Sequence, residues 1–491
     1  MADRVVVIGA GPAGLRATEA LVRGGLRPIL IDEAERPGGQ IYRQPPPGAS
    51  RPAKTLYGFE ARKAAALHAI PGRLGEAIDY RPRTLVWNVF ERRLDTIGPA
   101  GHGAVAFDKL IIASGAMDRV LPFPGWTLPG VFTLGGAQIA LKAQGVSIGC
   151  RVAFVGAGPL LPLIAHQYAK AGAEIAAVLD VTPFFAKLQN AHLMLAEVRT
   201  LAKGFWYVAR NSASGLTVRS DVRAFGVEGE KRVRALWWRD PAGREHRVAC
   251  DAVGASFGLR SETQLADLAG CTFTFDTTAR QWLPERDLAG RSSASGIYLA
   301  GDGAGIGGAD VAELQGERAA LALLDDLGRS IDRSRMAEVD RKLARQARFR
   351  SALEDAYPYP AHLLDDIADD EIICRCEGIT AGTLRATASE RDAHEMNRLK
   401  AFTRIGMGRC QGRVCGHAAA EILARARGGD IAAVGRLRGR SCVARGGAHG
   451  GGAGETAVRR RRERRQFRRR APAGTPSGRT AAGAPGARVV G

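Results

Sequence analysis

The sequence predicts an α/β fold in which two dinucleotide-binding units are followed by a small cysteine-bearing unit. Three stretches carry that prediction: a strand and glycine turn at Arg4–Gly14, an altered copy of it at Arg151–Pro162, and four cysteines between 374 and 415.

Val5 to Ile8 are four apolar, mostly β-branched residues, which is how a strand buried on both faces reads. Gly9, Gly11 and Gly14 follow at once in the order G-x-G-x-x-G, with Pro12 and Ala13 between the last two. Gly9 permits the tight turn, Gly11 has no Cβ to keep a pyrophosphate off the backbone, and Gly14 lets the next helix lie close to the strand. The N-terminal N–H groups of that helix then face the phosphates. A second strand, Pro28–Asp32, ends in a carboxylate 18 residues past Gly14. An acid there accepts hydrogen bonds from the adenosine ribose, with Asp32 the first candidate and Glu33 the second.

The loop Arg36-Pro-Gly-Gly-Gln-Ile-Tyr-Arg43 comes next, with Gly38, Gly39 and Gln40 beside the expected cofactor. Asp108 to Ala116 reads as a buried strand that ends on small residues, including Ala113 and Gly115. Much later, Ser295 to Asp302 is an apolar strand that delivers Gly301 and Asp302 to a glycine-rich turn and a helix. This set resembles the two-dinucleotide, disulfide-reductase-like flavoproteins. The resemblance implies FAD, with the Gly-Gly loop along it and Asp302 at its ribityl or pyrophosphate region. The redox Cys pair that the disulfide-reductase branch places just beyond the Gly-Gly loop is missing, so dithiol chemistry at the flavin is not expected.

The second copy, Arg151–Pro162, has Gly156 and Gly158 but Leu161 at the third glycine position and Pro162 after it. A side chain there is expected to hold the helix off the strand, so this half is read as nucleotide-binding architecture with a degraded fingerprint. The domains are therefore placed at 1–115 with 260–330 (FAD-binding, discontinuous), 116–259 (inserted, NAD(P)-type), 331–364 (helical linker), 365–428 (cysteine unit) and 429–491 (tail).

Cys374 and Cys376 form C-x-C; after 33 intervening residues Cys410 and Cys415 form C-x4-C. Two short-spaced thiol pairs can converge on one inorganic core, an iron–sulfur cluster or, alternatively, structural zinc. Cys415 is expected to open a helix whose dipole favours its thiolate. Arg375, Lys400, Arg404, Arg409 and Arg413 stand ready to offset an anionic cluster, whereas Cys150, Cys250 and Cys271 are read as small core residues and the nine histidines receive no role. The spacing, with Arg404 to Gly412, is similar to the bacterioferritin-associated-ferredoxin type of [2Fe–2S] domain.

Residues 1–428 as a whole resemble the A-type, or alpha, subunits of heteromeric FAD-dependent amine, opine and imino-acid dehydrogenases: opine oxidase, hydrogen cyanide synthase, and proline and hydroxyproline dehydrogenase. Residues 38–43, 124–131 and the Cys pairs carry the likeness. It implies an oxidoreductase subunit that relays electrons from a small-molecule amine, oxidised on a second FAD-dependent subunit of the DAAO or glycine-oxidase type, to a quinone or carrier protein. No substrate base is assigned. The alternatives are a self-contained NAD(P)H:acceptor oxidoreductase and a non-catalytic docking protein.

The composition agrees with a globular protein: 491 residues, 45% hydrophobic, with no run of 18 apolar residues, and so a cytoplasmic protein, membrane-associated only through partners. The net charge of +20 suggests nucleic acid until it is located, for +12 of it lies from Gly428 onward. That tail, rich in Arg, Gly, Ala and Pro, cannot pack and is expected to be disordered. Its composition is what GC-rich codons yield in a shifted frame after about Ser441, with nucleic-acid or membrane binding as the alternative.

Overall fold

The strand Val5–Ile8 occupies the centre of a five-stranded parallel sheet in the order Ile297–Leu299, Lys109–Ile112, Val5–Ile8, Ile29–Ile31, Asp79–Arg81. All four of its residues are buried, because a central parallel strand is covered on both faces. The computed structural model describes residues 3–48, 51–190, 192, 197–213, 215, 216 and 218–437. These fall within one unit, Met1–Arg440.

Two helices, Pro12–Arg23 and Ala309–Asp326, pack against each other beside this sheet. Glycine permits two close approaches here, that of the first helix to its own strand and that of the second helix to the first. A Cβ at Gly14 would stand 1.7 Å from the Gly9 carbonyl oxygen, and one at Gly316 would stand 1.9 Å from that of Ala13. Gly316→Val is therefore expected to cost about 1–3 kcal/mol, as overpacking does, read as a lowered denaturation midpoint at unchanged m.

The second sheet repeats the parallel plan in the order Val218–Ser220, Glu174–Asp180, Arg151–Ala157, Ala252–Phe257, Val131–Thr133. Two passages join the sheets. They run side by side as an antiparallel pair, Ala116–Asp118 with Leu259–Ser261. Each half also carries a three-stranded antiparallel sheet, spanning Leu85–Phe90 to Gly101–Ala106 and Ala224–Glu228 to Glu245–Ala249.

The helix Arg333–Ala356 buries only Val339, Phe349, Ala352 and Ala356, as a solvated helix should, and Asp332 caps it by accepting from Arg335 N at 2.9 Å. The cysteine unit that follows is a two-stranded ribbon, Ile372–Cys374 with Ile379–Thr380, and three helices, Ala381–Glu390, Met396–Thr403 and Gly416–Ala426. Its core is continuous with Leu121, Phe123 and Trp126 of the proline-rich connector. Burial of these side chains thus fixes the cysteine unit to the inserted half.

Two expectations need correction. Cys150 is exposed rather than in the core, because it precedes the strand Arg151–Ala157, where its N–H donates to Asp251 at 2.9 Å; Cys250 and Cys271 are buried as expected. The packed chain also runs past residue 428: Ile431 and Val434 are buried, and Arg436 pairs with Asp267 at 2.7 Å. The disorder and frame-shift expectations for the remaining tail lie outside the described residues. No helix among the described residues is long and apolar enough to cross a membrane.

Candidate functional site

A cleft of about 1180 Å³ opens between the two sheets. Of the sequence-derived cofactor residues, Gly9, Gly11, Pro12, Ala13, Asp32, Glu33, Gly39, Gln40, Ala113, Gly115, Gly301 and Asp302 all line it. Gly14 and Gly38 lie behind that wall: Gly38 donates its N–H to Ala10 O at 2.9 Å, and its φ of +126° is one that side chains rarely tolerate. The loop and the turn meet closely, since a Cβ at Gly39 would lie 2.8 Å from Gly11 Cα. A backbone cradle without side chains is what the diphosphate of FAD requires.

Asp32 reaches into the cradle. Its carboxylate accepts from Ala34 N at 2.6 Å and from Ala10 N, so it ties the end of its own strand to the glycine turn. Burial raises its pKa, and those two N–H groups oppose the shift. Asp302 does the corresponding work at the other glycine turn, where it accepts from Gly307 N at 2.8 Å and Gly308 N at 3.0 Å. The N-terminus of the helix Ala309–Asp326 follows directly.

The opposite wall belongs to the inserted half. Leu160, Leu163 and Ile164 face the cleft, while Leu161 is buried beside Phe154 and Tyr168. Hydrocarbon therefore occupies the helix start where an intact fingerprint would present small residues to phosphate.

The four thiols converge: Cys415 neighbours Cys374 and Cys410, and Cys410 neighbours Cys376. Gly408 makes room for the site, since a Cβ there would lie 2.2 Å from that of Cys376. Burial pushes the Cys410 thiol up, but the N–H groups of Val414, Gly412 and Cys415 and the adjoining Cys376 thiol outweigh it, leaving a net shift below the ordinary thiol range. Main-chain N–H groups directed at sulfur are what an iron–sulfur ligand loop supplies.

Cys415 does precede the helix Gly416–Ala426, but the expected thiolate-favouring effect of that helix does not prevail. Burial, then the crowding of Cys374, drives this thiol far up, so a metal must displace its proton. Of the basic residues offered by the sequence, Arg404 pairs with Glu377 at 2.9 Å, Arg413 with Glu262 at 3.2 Å, and Arg375 lies 5.2 Å over the Trp126 ring.

Three residues escape the sequence reading. Arg260, in the strand beside Ala116–Asp118, donates to Arg413 O at 3.1 Å; burial lowers its pKa against the pull of Glu262, Cys410 and Cys415. Trp126 donates to Ile372 O at 2.7 Å and so holds the strand that bears Cys374. His417 is buried against Tyr359, with ring centroids 5.0 Å apart, and burial keeps it neutral. Trp126 had a visible signal, since it stands in a connector whose motif was already notable. Below His417, the carboxylate of Glu421 is 1% exposed and held by Arg280 at 2.9 Å and Arg425 at 2.7 Å. Glu421→Ala would leave Arg280 without its carboxylate while Arg425 keeps Asp365 at 2.8 Å, and both cations are partly exposed, so the expected cost is about 1–3 kcal/mol in unfolding free energy, measured by denaturant titration.

The cysteine unit meets the cleft directly. Arg413 lies between Cys410 and Cys415 in sequence and also lines the cleft, beside its partner Glu262. Glu262 O in turn accepts from Ser114 Oγ at 2.6 Å.

Comparison with known proteins agrees with both halves of this site. Residues 3–316 match the family described as pyridine nucleotide-disulphide oxidoreductase, and residues 372–425 match the BFD-like [2Fe-2S] binding domain. The chain is 36% identical over 455 residues to the A-type subunit of opine oxidase from Rhizobium meliloti, covering 89% of this chain and 85% of that protein. It is 30% identical over 431 residues to the HcnB subunit of hydrogen cyanide synthase from Pseudomonas protegens, covering 84% and 89%. L-proline dehydrogenase from P. horikoshii shares the fold at a TM-score of 0.65 and 20% identity, covering 90% of this chain and 77% of that one. The chain therefore belongs to the flavin oxidoreductase family that includes HcnB and the A-type subunits of opine oxidases, with FAD and a [2Fe–2S] cluster as its cofactors.

Proposed function

We propose that this chain is the electron-relaying subunit of an amino-acid, imino-acid or opine dehydrogenase. A glycine-oxidase-like partner would remove the electrons from the amine, and this subunit would pass them to a quinone or carrier protein. The observation that carries the reading is Arg413, because one six-residue loop both holds two cluster thiols and forms part of the wall of the FAD cleft. When bound, FAD handles electrons in pairs and the cluster handles them singly.

The chain's own residues set the conditions for that exchange. The glycine turns at 9–14 and 38–39 would seat the diphosphate, and Asp32 would accept from the ribose. Asp302 holds the glycine turn at 307–308 in shape before the helix Ala309–Asp326. Glu262 pairs with Arg413 and thereby steadies the Cys410–Cys415 loop against the cleft. Trp126 steadies the Cys374 strand from the other side.

The relatives named as subunits support a heteromer. The hydrocarbon at Leu160–Ile164 argues against a separate NAD(P)H site. Anaerobic mixing of the purified chain with the flavoprotein encoded beside it tests the reading. An amino acid, imino acid or opine should bleach this chain's flavin only when the partner is present, and NADH should not bleach it; fast reduction by NADH alone contradicts the proposal.

A further inference from the structure

Lys142, in the helix Leu134–Ala143 of the inserted half, lines the cleft yet is only 3% exposed. Its ammonium donates to Ile41 O at 3.0 Å, in the segment just after the Gly38–Gly39 turn, and lies 5.9 Å from the Tyr57 ring. No carboxylate pairs with it among the described residues, and burial alone pushes its pKa down to about 8. A buried ammonium without an opposite charge is costly and is normally paired or neutralised. One donor is used by a neutral carbonyl, which leaves two more on an ammonium whose residue lines the cleft.

We infer that Lys142 is the counter-charge for a delocalised anion held at the inner wall of the cleft, so that the site is complete only when ligand is bound. Two sources carry that chemistry: the negative charge that bound flavin acquires on reduction, and the carboxylate of a small amino or imino acid. The inference rests on the reading of this cleft as the FAD site. It goes beyond that reading in giving the inserted half a charge-pairing role that its degraded fingerprint would not suggest.

The location explains why the charge is tolerated. The Lys142 stem packs within one wall while its ammonium reaches the carbonyl of the other, so the charge sits at the seam between the two halves. If this were only a structural latch, removing it would destabilise the protein. If it is a counter-charge, removing it should stabilise the ligand-free chain, because an unpaired buried cation disappears.

The experiment uses the full chain with FAD and the cluster loaded, as wild type, Lys142→Met and Lys142→Arg. Flavin occupancy is measured first, and a wild-type chain that binds no flavin overturns the FAD reading and this inference with it. Where flavin binds, its midpoint potential is taken by reductive titration, and benzoate and acetate are titrated against the oxidised spectrum. Lys142→Met should either shift the flavin's reduction equilibrium at least tenfold toward the oxidised form, about 30 mV for a two-electron couple, or weaken carboxylate binding at least tenfold. The first result assigns the anion to flavin and the second to a carboxylate ligand. Lys142→Arg should stay within threefold of wild type in both, and the apoprotein of Lys142→Met should melt at a higher temperature. Flavin bound normally with neither quantity moved, or an apoprotein that loses stability while both stay fixed, overturns the inference and leaves the FAD reading standing.

Discussion

Cys410→Ser is expected to remove the iron–sulfur chromophore while leaving bound FAD in place. The Cys410 sulfur receives three main-chain N–H groups and touches Cys376, so its loss opens the loop that shapes one side of the site. Serine is a harder and more basic ligand than a thiolate. Even residues that only support metal ligands cost about 10–100-fold in metal affinity when changed, and a ligand itself should cost at least that. Iron and acid-labile sulfide per chain, with the low-temperature EPR spectrum of the reduced protein, are the measurements. Cys150→Ser is the control, since that thiol is exposed just before the central strand of the second sheet and its loss should leave the iron unchanged.

Gly11→Ala is expected to weaken FAD binding by about 10–100-fold, or about 1.4–2.8 kcal/mol, with little effect on the apoprotein. Gly11 has φ of −79°, which alanine adopts freely, and a Cβ there would meet only Gly39 Cα at 3.6 Å, an ordinary contact. Within the protein nothing resists the methyl group; the diphosphate would. Gly9→Ala differs in kind. It has φ of +101° and a Cβ 2.3 Å from Ala113 O, so it should damage the fold as well as the site. Flavin fluorescence titration together with apoprotein melting separates the two. If Gly11→Ala binds FAD as tightly as wild type, the diphosphate does not lie against this turn.

The cradle was legible from the sequence because each requirement there selects a residue type. A buried strand selects β-branched residues, a turn with no room for Cβ selects glycine, and a ribose selects an acid at the end of the next strand. The cysteines were legible for the same reason. The environment of those residues was not. The Cys415 thiol obeys burial rather than the helix it opens, and burial is a property of the packed unit, which local spacing does not encode. Cys150 reads like Cys250 by composition, yet one begins an exposed strand end and the other lies in the core. Arg260 and Lys142 escaped because nothing in their neighbours marks them. Each matters through contact with a segment far away in sequence, Arg413 for one and Ile41 for the other.

The Cys410–Cys415 loop, set at the wall of the cleft, makes a specific demand: electrons placed on the flavin should reach the iron. The direct measurement is to load the chain anaerobically with FAD and cluster, photoreduce it in small increments with EDTA as the electron donor, and follow flavin absorbance and the EPR signal together. The signal of a reduced [2Fe–2S] cluster should grow while the flavin is still only partly bleached, and it should be absent in Cys410→Ser. A flavin that bleaches completely while the iron stays oxidised would contradict this.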